Sequence, residues 1–415
     1  MSGVTIAVLG GGVGGLVAAN ELRRLLPSQH HVVLIEKNLQ HAFAPSFLWI
    51  MVGDRRPEQV ARDLRTLSHP GVEVMQAEAV GIDPGAQRVE TTQQSLRYDY
   101  LVVALGAEYA PETIPGLEPA AHTFYTWDDS AALFGALRSF PETGGTVAVV
   151  VAALPYKCPG APHEGAMLIA DYFRRRGLAG KVSVDLYTPE PQPMPVAGPA
   201  LGEAVLQMLQ RRGVAFHPVH KLAAVDGAAK ELHFDGGTRA RFDLLVAIPP
   251  HRSPRVVRDA GLTNDSGWIP VDRATLRTRS ENVYAIGDVT AIAIPGRWKP
   301  EVPLMLPKAG VFAHAQGLAV ARRIAAEVTR APATAEFAGS GYCMLEAGET
   351  MAGFAFGDFF ATPAPEVHLR QMGRVWHWGK VLLERWWLTP PGPRREALRL
   401  AINLGSRSLG VPIIA

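Results

Sequence analysis

This sequence has few cysteines, a small net charge and no long apolar run. Its 415 residues contain two cysteines, Cys158 and Cys343, which are too few for a disulfide scaffold. They allow a single pairing, so if they act together they form a redox or sulfur-handling pair. The formal net charge of +2 gives no argument for a nucleic-acid partner. No apolar run reaches the roughly 18 residues that a spanning helix needs, so we predict no transmembrane segment. We also predict no metal site.

The composition is that of a globular chain with a large apolar interior. Hydrophobic residues make up 47% of the chain and charged residues 19%, which leaves ample material for a core. At 415 residues the chain is long for one core, so two or three domains are expected. The first strand starts by about Thr5, which leaves no room for a cleaved export signal of about 15–30 residues.

The N-terminal region carries the most informative pattern, which is a strand, a glycine-rich turn, a helix and a second strand between Val4 and Glu36. In a dinucleotide-binding unit, Gly10 gives the tight turn, Gly12 lets the backbone approach a pyrophosphate, and Gly15 lets helix and strand pack closely. The helix N-terminus then offers free N–H groups to the phosphates. Glu36 stands where a carboxylate accepts hydrogen bonds from an adenosine ribose. The pattern predicts dinucleotide binding, and the alternative is a glycine turn without a ligand.

Three later segments are interpreted as parts of the same unit. Ser46 follows a proline in an aromatic segment, and we expect it near a helix N-terminus that is aimed at the ligand. The segment Asp54–Leu67 is expected to be helical. The apolar run Leu96–Leu105 is typical of a strand buried on both faces of a parallel sheet. Gly106 after it lets the chain turn close to a ligand.

A second unit begins with the strand Thr146–Val151. A second dinucleotide site would need another glycine-rich turn after this strand, and the chain has Leu154–Pro162 instead. Its three prolines remove backbone N–H donors where a phosphate would need them. Cys158 stands in this segment, so we predict a Rossmann-like unit without a nicotinamide site. Because the run Phe242–Ile248 matches Tyr98–Leu105 in character, the second unit is interpreted as inserted into the first.

The chain then returns to the first unit. Gly287 and Asp288 follow a strand, where glycine permits close approach and the carboxylate can accept a hydrogen bond from a polyol hydroxyl. A helix from about Lys308 to Val328 would point its positive N-terminal end at the same ligand. Together with the glycine turn, this arrangement points to FAD. The predicted domains are residues 1–110 and 251–335 for the FAD-binding unit, 111–250 for the second unit, and 336–415 for a C-terminal region.

The C-terminal fifty residues combine tryptophans with basic residues. Residues 366–415 hold eight Lys or Arg against three Asp or Glu, and apolar residues recur at helical spacing over Val375–Leu388. The same region contains four tryptophans, Trp376, Trp378, Trp386 and Trp387. Such a helix suits a membrane surface, and the alternative is a helix docked on its own domain or on a dimer partner. The predicted fold class is α/β, with two Rossmann-like domains, the second inserted, and a C-terminal amphipathic membrane-docking region.

On these residues the chain resembles the sulfide:quinone oxidoreductase and flavocytochrome c sulfide dehydrogenase family of flavoproteins with two dinucleotide-binding domains. The resemblance spans essentially the whole length, and its most specific part is Cys158–Glu164. The other matching segments are Gly10–Gly15 with Glu36, Phe43–Ser46, Tyr98–Gly106, Asn282–Asp288, Val302-Pro303 with Pro307-Lys308, and Cys343. The implied activity is FAD-dependent oxidation of sulfide at a cysteine pair beside the flavin, with electrons leaving to quinone or to a cytochrome.

The resemblance also implies roles for single residues. Hydrosulfide would attack a disulfide of Cys158 and Cys343, or a sulfur-bridged form of it. Glu164 would be the general base, with His163 as a second candidate, and the alternative for Glu164 is a carboxylate that complements the helix dipole. Lys308 would stabilise reduced flavin or a quinone oxygen, and the alternative is a solvated lysine.

Two further sets of residues follow from the resemblance. The candidates to line a quinone opening, for each of which core packing is the alternative, are Phe354, Phe356 and Trp378. The expected cofactor-binding residues are Gly10, Gly12, Gly15, Glu36, Lys37, Ser46, Ala79, Val80, Gly106, Gly287, Asp288, Pro307 and Lys308.

Two departures from the family pattern keep alternatives open. Typical sulfide:quinone oxidoreductases carry a third cysteine after Gly106, and residues 108–144 have none. The flavocytochrome subunit usually has an export signal and a cysteine that tethers FAD near His41–Phe47, and we find neither pattern. We therefore expect noncovalent FAD, a quinone acceptor and a peripheral position on a membrane surface, with homo-oligomerisation open. The alternatives are a cytochrome-reducing enzyme, a type II NADH dehydrogenase and a noncatalytic FAD-binding protein.

Overall fold

The fold is built on two parallel β-sheets and a C-terminal antiparallel sheet. The computed structural model describes residues 3–299 and 302–413. The outermost residues of the predicted first and last domains, Met1, Ser2, Ile414 and Ala415, lie outside the described residues. The α-helices are Val13–Leu25, Phe47–Ile50, Leu64–Leu67, Leu117–Ala120, Trp127–Arg138, Ala161–Arg175, Pro199–Arg211, Arg255–Asp259, Gly310–Val328, Arg374–Trp387 and Pro393–Leu409.

The first sheet is five-stranded and parallel, with Thr5–Leu9 at its centre. Leu9 aligns with Ile35 on one side and with Val103 on the other. Both faces are buried, because alternate residues along each strand belong to separate apolar clusters. In spatial order the strands are Val283–Ala285, Tyr100–Val103, Thr5–Leu9, His31–Glu36 and Val72–Gln76. Their carboxyl ends therefore meet at one edge.

Helices Val13–Leu25 and Gly310–Val328 pack against each other on the first sheet. A Cβ at Gly317 would lie 2.7 Å from the Gly14 carbonyl oxygen, so glycine permits this close approach. The strand Val283–Ala285 pairs with Tyr100–Val103, so the chain returns to this sheet after forming the second one. The domain boundaries given above remain a proposal.

The second sheet is four-stranded and parallel. Its central strand ends at Val151, and residues 152–160 connect it to helix Ala161–Arg175. The helix begins at Ala161, because Pro162 suits the first turn of a helix, where its missing N–H has no partner to lose. Glu164 consequently lies inside the first turn. In spatial order the strands are Val214–His217, Val182–Tyr187, Gly145–Val151 and Leu244–Ile248.

The C-terminal region forms an antiparallel sheet of strands Ser340–Glu346, Ala352–Asp358 and Glu366–Gly373, which runs directly into helix Arg374–Trp387. Cys343 pairs with Ala355 in this sheet. Smaller antiparallel sheets are formed by Ala79–Asp83, Arg88–Thr91 and Ser95–Arg97, by Leu222–Asp226, Glu231–Phe234 and Arg239–Arg241, by Gln40–Ala42 and Ala61–Asp63, by Glu108–Tyr109 and His251–Arg252, and by Ala293–Lys299 and Val302–Met305. Ile269–Pro270 and Thr290–Ala291 form a short parallel pair.

The expectation of one helix over Asp54–Leu67 is wrong. Pro57 opens a short 3-10 turn, because a proline ring fits the start of a turn but lacks the N–H that a helix interior needs. The chain then forms the short strand Ala61–Asp63. Only Leu64–Leu67 is α-helical, and the Asp63 side chain caps it.

Candidate active site

The carboxyl edge of the first sheet opens into a cavity of about 990 Å³. Each of its five strands contributes a lining residue at or just after its last position, namely Gly10, Glu36, Ala77, Ala104 and Ile286. Open parallel sheets hold their ligands at this edge. The volume lies at the upper end of the usual range for small-molecule sites, which is about 300–1,000 Å³.

The glycine turn has the geometry that a dinucleotide needs. Gly10 adopts a φ of +99°, and a Cβ there would lie 2.5 Å from the Ala104 carbonyl oxygen. A Cβ at Gly15 would lie 1.9 Å from the Gly10 carbonyl oxygen, so Gly15 serves helix–strand packing and does not line the cavity. No atom lies within 4 Å of the position that a Cβ would take at Gly12. That open position faces the cavity at the start of helix Val13–Leu25, where a pyrophosphate would meet the backbone.

Glu36 is fixed by backbone hydrogen bonds at the end of the second strand. Its Oε2 accepts from the Gly11 N–H at 2.6 Å, and its Oε1 accepts from the Asn38 N–H at 2.9 Å. A carboxylate held in this way keeps lone pairs for further donors on the cavity side. This placement suits the predicted contact with ribose hydroxyls.

His41 links the glycine turn to helix Arg374–Trp387, a contact that no sequence pattern predicts. Its Nε2 accepts a hydrogen bond of 2.7 Å from the Trp387 indole N–H. Because an indole nitrogen can only donate, the imidazole proton lies on Nδ1, which donates to the Gly11 carbonyl oxygen at 2.8 Å. Burial lowers the pKa of His41, so the ring is neutral. Helix Arg374–Trp387 therefore covers the cavity beside the glycine turn.

Most of the remaining expected cofactor residues line the cavity, and two do not. Ser46 is fully buried, and its hydroxyl donates to Glu384 Oε1 at 2.6 Å. The 3-10 turn Ala44–Ser46 directs this side chain toward helix Arg374–Trp387 and away from the cavity. Pro307 also stands outside the lining. The residues that line the cavity as expected are Lys37, Ala79, Val80, Gly106, Gly287, Asp288 and Lys308.

Both cysteines line this same cavity, although 185 residues of chain separate them. They are unbridged thiols, and a Cβ at Gly160 would lie 3.3 Å from Cys343 Sγ. Cys158 has a φ of +59°, a left-handed conformation that is strained for a residue with a side chain. Its N–H donates to the Lys308 carbonyl oxygen at 2.6 Å, which helps to hold this conformation. Burial raises the pKa of Cys158 to about 12 and that of Cys343 well above its usual range, so neither thiol ionises readily at neutral pH.

Glu164 lies beside the cysteines in a buried ion pair. Its Oε1 accepts from Lys380 Nζ at 2.7 Å and from the Glu346 N–H at 2.8 Å. Burial raises the pKa of Glu164, and the Lys380 ammonium opposes this shift. The pKa of Lys380 is raised because two carboxylates, Glu164 and Glu346, outweigh its burial. The alternative of a carboxylate that merely complements a helix dipole does not account for this lysine.

The ion pair continues toward the surface. Glu346 is 1% exposed, and its Oε2 lies 2.8 Å from His377 Nδ1. The His377 side chain keeps 14% of its surface accessible. Glu346 therefore meets Glu164 through its backbone N–H and His377 through its carboxylate, while its Oε1 has no hydrogen-bond partner among the described residues.

The expectation that His163 acts as a second base is wrong. The side chain is fully buried, stands outside the cavity lining, and packs against Phe216. Both of its ring nitrogens lack hydrogen-bond partners among the described residues. Burial lowers the pKa of His163 to about 3. Successive residues on a helix point about 100° apart, so Glu164 reaches the cavity while His163 enters the core of the second unit.

Lys308 is buried and is not the solvated lysine of the alternative interpretation. Its Nζ donates to the carbonyl oxygens of Asp288 at 2.6 Å and Thr290 at 3.0 Å, and it lies 3.4 Å from the centroid of the Trp268 ring. Burial lowers the pKa of Lys308 to about 8. The residue precedes helix Gly310–Val328, so a cation and a helix N-terminus face the cavity together.

None of the three residues expected around a quinone lines the cavity. Phe354 is 1% exposed and stacks on Trp376 with ring centroids 4.5 Å apart. Phe356 packs at 5.9 Å from Phe354. Trp378 is 58% exposed on helix Arg374–Trp387. Phe354 is therefore a core residue, which was the alternative given for it.

Comparison with known proteins gives the family of the chain. A model of the pyridine nucleotide-disulphide oxidoreductases matches residues 4–317. The chain belongs to this family. FAD is its cofactor, and the glycine turn, Glu36 and the open position at Gly12 fit that group.

Similar proteins include two that are named for sulfide and quinone. The sulfide-quinone reductase of Aquifex aeolicus is 28% identical over 403 residues, which cover 92% of this chain and 90% of that protein. The mitochondrial sulfide:quinone oxidoreductase of Dictyostelium discoideum is 27% identical over 300 residues, and the match spans 69% of this chain and 65% of that protein. The solved structure of the sulfide:quinone oxidoreductase from Aquifex aeolicus superimposes with a TM-score of 0.80 at 26% identity, over 92% of this chain and 90% of that chain.

The corresponding edge of the second sheet is filled by protein side chains. Glu190 follows the strand Val182–Tyr187, close to the place where a nucleotide-binding sheet presents its ribose-binding acid. Its Oε2 accepts from the Tyr156 hydroxyl at 2.9 Å and from the Thr188 hydroxyl at 3.1 Å. Tyr156 belongs to the proline-rich segment that connects this sheet to Cys158. Glu190 is 6% exposed, so a ribose would have little access to this carboxylate.

NADH is therefore expected not to reduce the flavin of this protein. The reason is that the edge of the second sheet is closed by Tyr156 and lacks a glycine-rich phosphate turn. Anaerobic stopped-flow mixing with NADH, followed by flavin absorbance, checks this expectation, and dithionite serves as the control that the flavin is reducible. Rapid bleaching by NADH would refute it.

Proposed function

We propose that the protein catalyses FAD-dependent oxidation of sulfide to sulfur or polysulfide and passes the electrons to a quinone. The observation that carries this proposal is that Cys158, Cys343 and Glu164 line the same cavity as the dinucleotide turn. The names of the relatives from Aquifex and Dictyostelium support the choice of sulfide and quinone.

The chemistry of the cysteine pair starts from its oxidised form. Hydrosulfide attacks one sulfur of a Cys158–Cys343 disulfide, so that a new S–S bond forms and the bond between the cysteines breaks. One cysteine becomes a persulfide and the other leaves as a thiolate that carries the electron pair. Bound FAD supplies a two-electron acceptor for this thiolate and a donor to quinone. Per sulfide, two electrons leave and the sulfur is released at the oxidation level of elemental sulfur or as part of a polysulfide.

Glu164 is the base that accepts the protons released in this chemistry. The raised pKa values of both thiols mean that a base must hold or remove their protons at neutral pH. Glu164 is the buried carboxylate beside them, and Lys380 stabilises its ionised form. The Glu346 carboxylate and the partly accessible His377 lie next to this pair on the side toward solvent.

The quinone ring is placed at a different position from the one expected from the sequence. Phe47, Tyr342 and Leu383 line the cavity, and Leu383 belongs to helix Arg374–Trp387. We place the ring on this apolar side, because Phe354 is sealed in the core.

We place the membrane-facing surface on helix Pro393–Leu409 instead of helix Arg374–Trp387. Trp376, Trp386 and Trp387 are buried against the protein, so helix Arg374–Trp387 is docked on its own chain. Helix Pro393–Leu409 exposes 56% of Leu400 and 65% of Leu404. These leucines lie four residues apart on one face, beside the exposed Ala397 and Ala401. The same helix carries basic residues that suit anionic lipid, Arg394, Arg395, Arg399 and Arg407.

Membrane docking through this helix fits the quinone chemistry, since quinones reside in lipid. None of the helices in residues 3–299 and 302–413 combines the length and the apolar character that a membrane crossing requires. We therefore propose that Leu400 and Leu404 insert into one leaflet while the body of the protein stays outside it.

Cys158→Ala and Cys343→Ala are each expected to abolish bleaching of the flavin by sulfide, because either change removes the disulfide that sulfide attacks. FAD content should stay unchanged, since the phosphate turn and Glu36 are untouched. Anaerobic absorbance at the flavin band measures both quantities, and dithionite reduction of each variant is the control. Sulfide-dependent bleaching that survives in either variant would make that cysteine a structural thiol.

Leu404→Glu is expected to weaken binding to vesicles that contain anionic lipid by about ten- to a hundredfold, because burying one leucine contributes about 1.5–3 kcal/mol. Vesicle co-sedimentation measures the change. Val219→Glu is the matched control, since Val219 is 73% exposed on the second unit. Sulfide should bleach the flavin equally in both variants, because neither residue lines the cavity. Unchanged vesicle binding by Leu404→Glu would remove this helix from the docking surface.

A further inference from the structure

Lys157 precedes Cys158, and its side chain lines the cavity. Its ammonium lies 4.7 Å from the centroid of the Tyr109 ring and 5.8 Å from that of Tyr125. The Tyr109 hydroxyl donates to the Tyr125 carbonyl oxygen, and the Tyr125 hydroxyl donates to the Lys157 carbonyl oxygen, each at 2.8 Å. The two hydroxyls are therefore held by the backbone while their rings face the cation. His251 packs edge-on against both rings at 5.1 and 5.5 Å and rigidifies the group.

The other lysines of the cavity are paired with carboxylates or backbone carbonyl oxygens, and Lys157 is not. Lys380 is paired with Glu164, Lys308 donates to two carbonyl oxygens, and Lys37 pairs with Glu78 at 3.2 Å. Within residues 3–299 and 302–413, the Lys157 ammonium has no carboxylate at ion-pair distance, and its hydrogen-bonding neighbour is the Tyr109 hydroxyl, which leaves further N–H donors unused.

The charge of Lys157 is secure at neutral pH. Burial lowers its pKa, but Tyr109, Asp288 and Cys158 act more strongly in the opposite direction, so the pKa is raised overall. An ammonium with unused donors in a buried cavity is a site for an anion.

We propose that Lys157, held over the faces of Tyr109 and Tyr125, binds the hydrosulfide anion and presents it to the cysteine pair. This inference rests on the proposed function and adds the residue that recognises the sulfur substrate. The carboxyl groups of Glu164 and Asp288 also face the cavity, so an anion there needs a cation beside the cysteine. Lys157, the residue before Cys158, supplies that cation and takes no part in bond making.

Lys157→Met tests the proposal in the full-length FAD-loaded protein. Flavin bleaching is followed by anaerobic stopped flow over a range of sulfide concentrations. The apparent Kd for sulfide is expected to rise about ten- to a hundredfold, as for loss of a hydrogen bond to a charged group, while the limiting rate stays within about twofold. Lys157→Arg should keep the apparent Kd near that of the wild type. Lys221→Met, at a lysine whose side chain is 70% exposed, is the matched control and should change neither quantity.

The two measured quantities separate substrate binding from other roles. A lower limiting rate with an unchanged apparent Kd would overturn the proposal, because it would place Lys157 in the chemical step. Equal behaviour of Lys157→Met and Lys221→Met would overturn it as well.

Thiocyanate, an unreactive anion, separates this proposal from the proposed function. In the wild type it should perturb the flavin absorbance and raise the apparent Kd for sulfide, and both effects should vanish in Lys157→Met. If sulfide fails to bleach the wild-type flavin, the proposed function fails, whereas a thiocyanate perturbation lost in Lys157→Met would still support an anion site. A wild-type protein that does not respond to thiocyanate would overturn the anion site.

Discussion

The ion pair between Lys380 and Glu164 is the contact on which the arrangement of the active site depends. Its atoms lie 2.7 Å apart, and the side chains keep 6% and 3% of their surface accessible. Burying two charges costs several kcal/mol per ion, and well-packed apolar residues often stabilise a fold equally well. Stability alone therefore does not account for this pair. The pair is accounted for if Lys380 holds an ionised carboxylate beside two thiols of raised pKa.

Helix Arg374–Trp387, which carries Lys380, supplies three further contacts to the first unit. Glu384 accepts from the Ser46 hydroxyl at 2.6 Å and pairs with Arg55 at 3.1 Å. Trp387 donates to His41, which in turn holds the glycine turn. Helix Arg374–Trp387 thus connects the phosphate turn, the aromatic segment after it and the base beside the cysteines. Residues of this helix therefore line the active site. A deletion of the C-terminal region, made to test membrane binding, would also remove Lys380.

The parts of the site that were predictable from the sequence are those whose geometry is local. The roles of Gly10, Gly12 and Glu36 follow from a strand–turn–helix unit whose spacing fixes its shape. The prolines before Cys158 predict that no phosphate turn lies there, whereas the roles of Cys158, Cys343 and Glu164 came from the family resemblance. Lys380 was not found, because 216 residues separate it from Glu164 and a lysine on an amphipathic helix usually faces solvent. The burial of Trp376, Trp386 and Trp387 was not predictable, because periodicity shows that a helix has an apolar face but not what covers it.

The most direct test of this account is a double-mutant cycle on Glu164→Gln and Lys380→Met, with the limiting rate of flavin bleaching by sulfide as the readout. Loss of a general base typically costs about 10²–10⁴ in rate, and each single variant should fall in or near this range. If the lysine acts by keeping Glu164 ionised, Lys380→Met should cost nothing further once Glu164 is glutamine. The account predicts that the double variant is no slower than Glu164→Gln alone. Losses that multiply would show that the two residues act independently, and would contradict it.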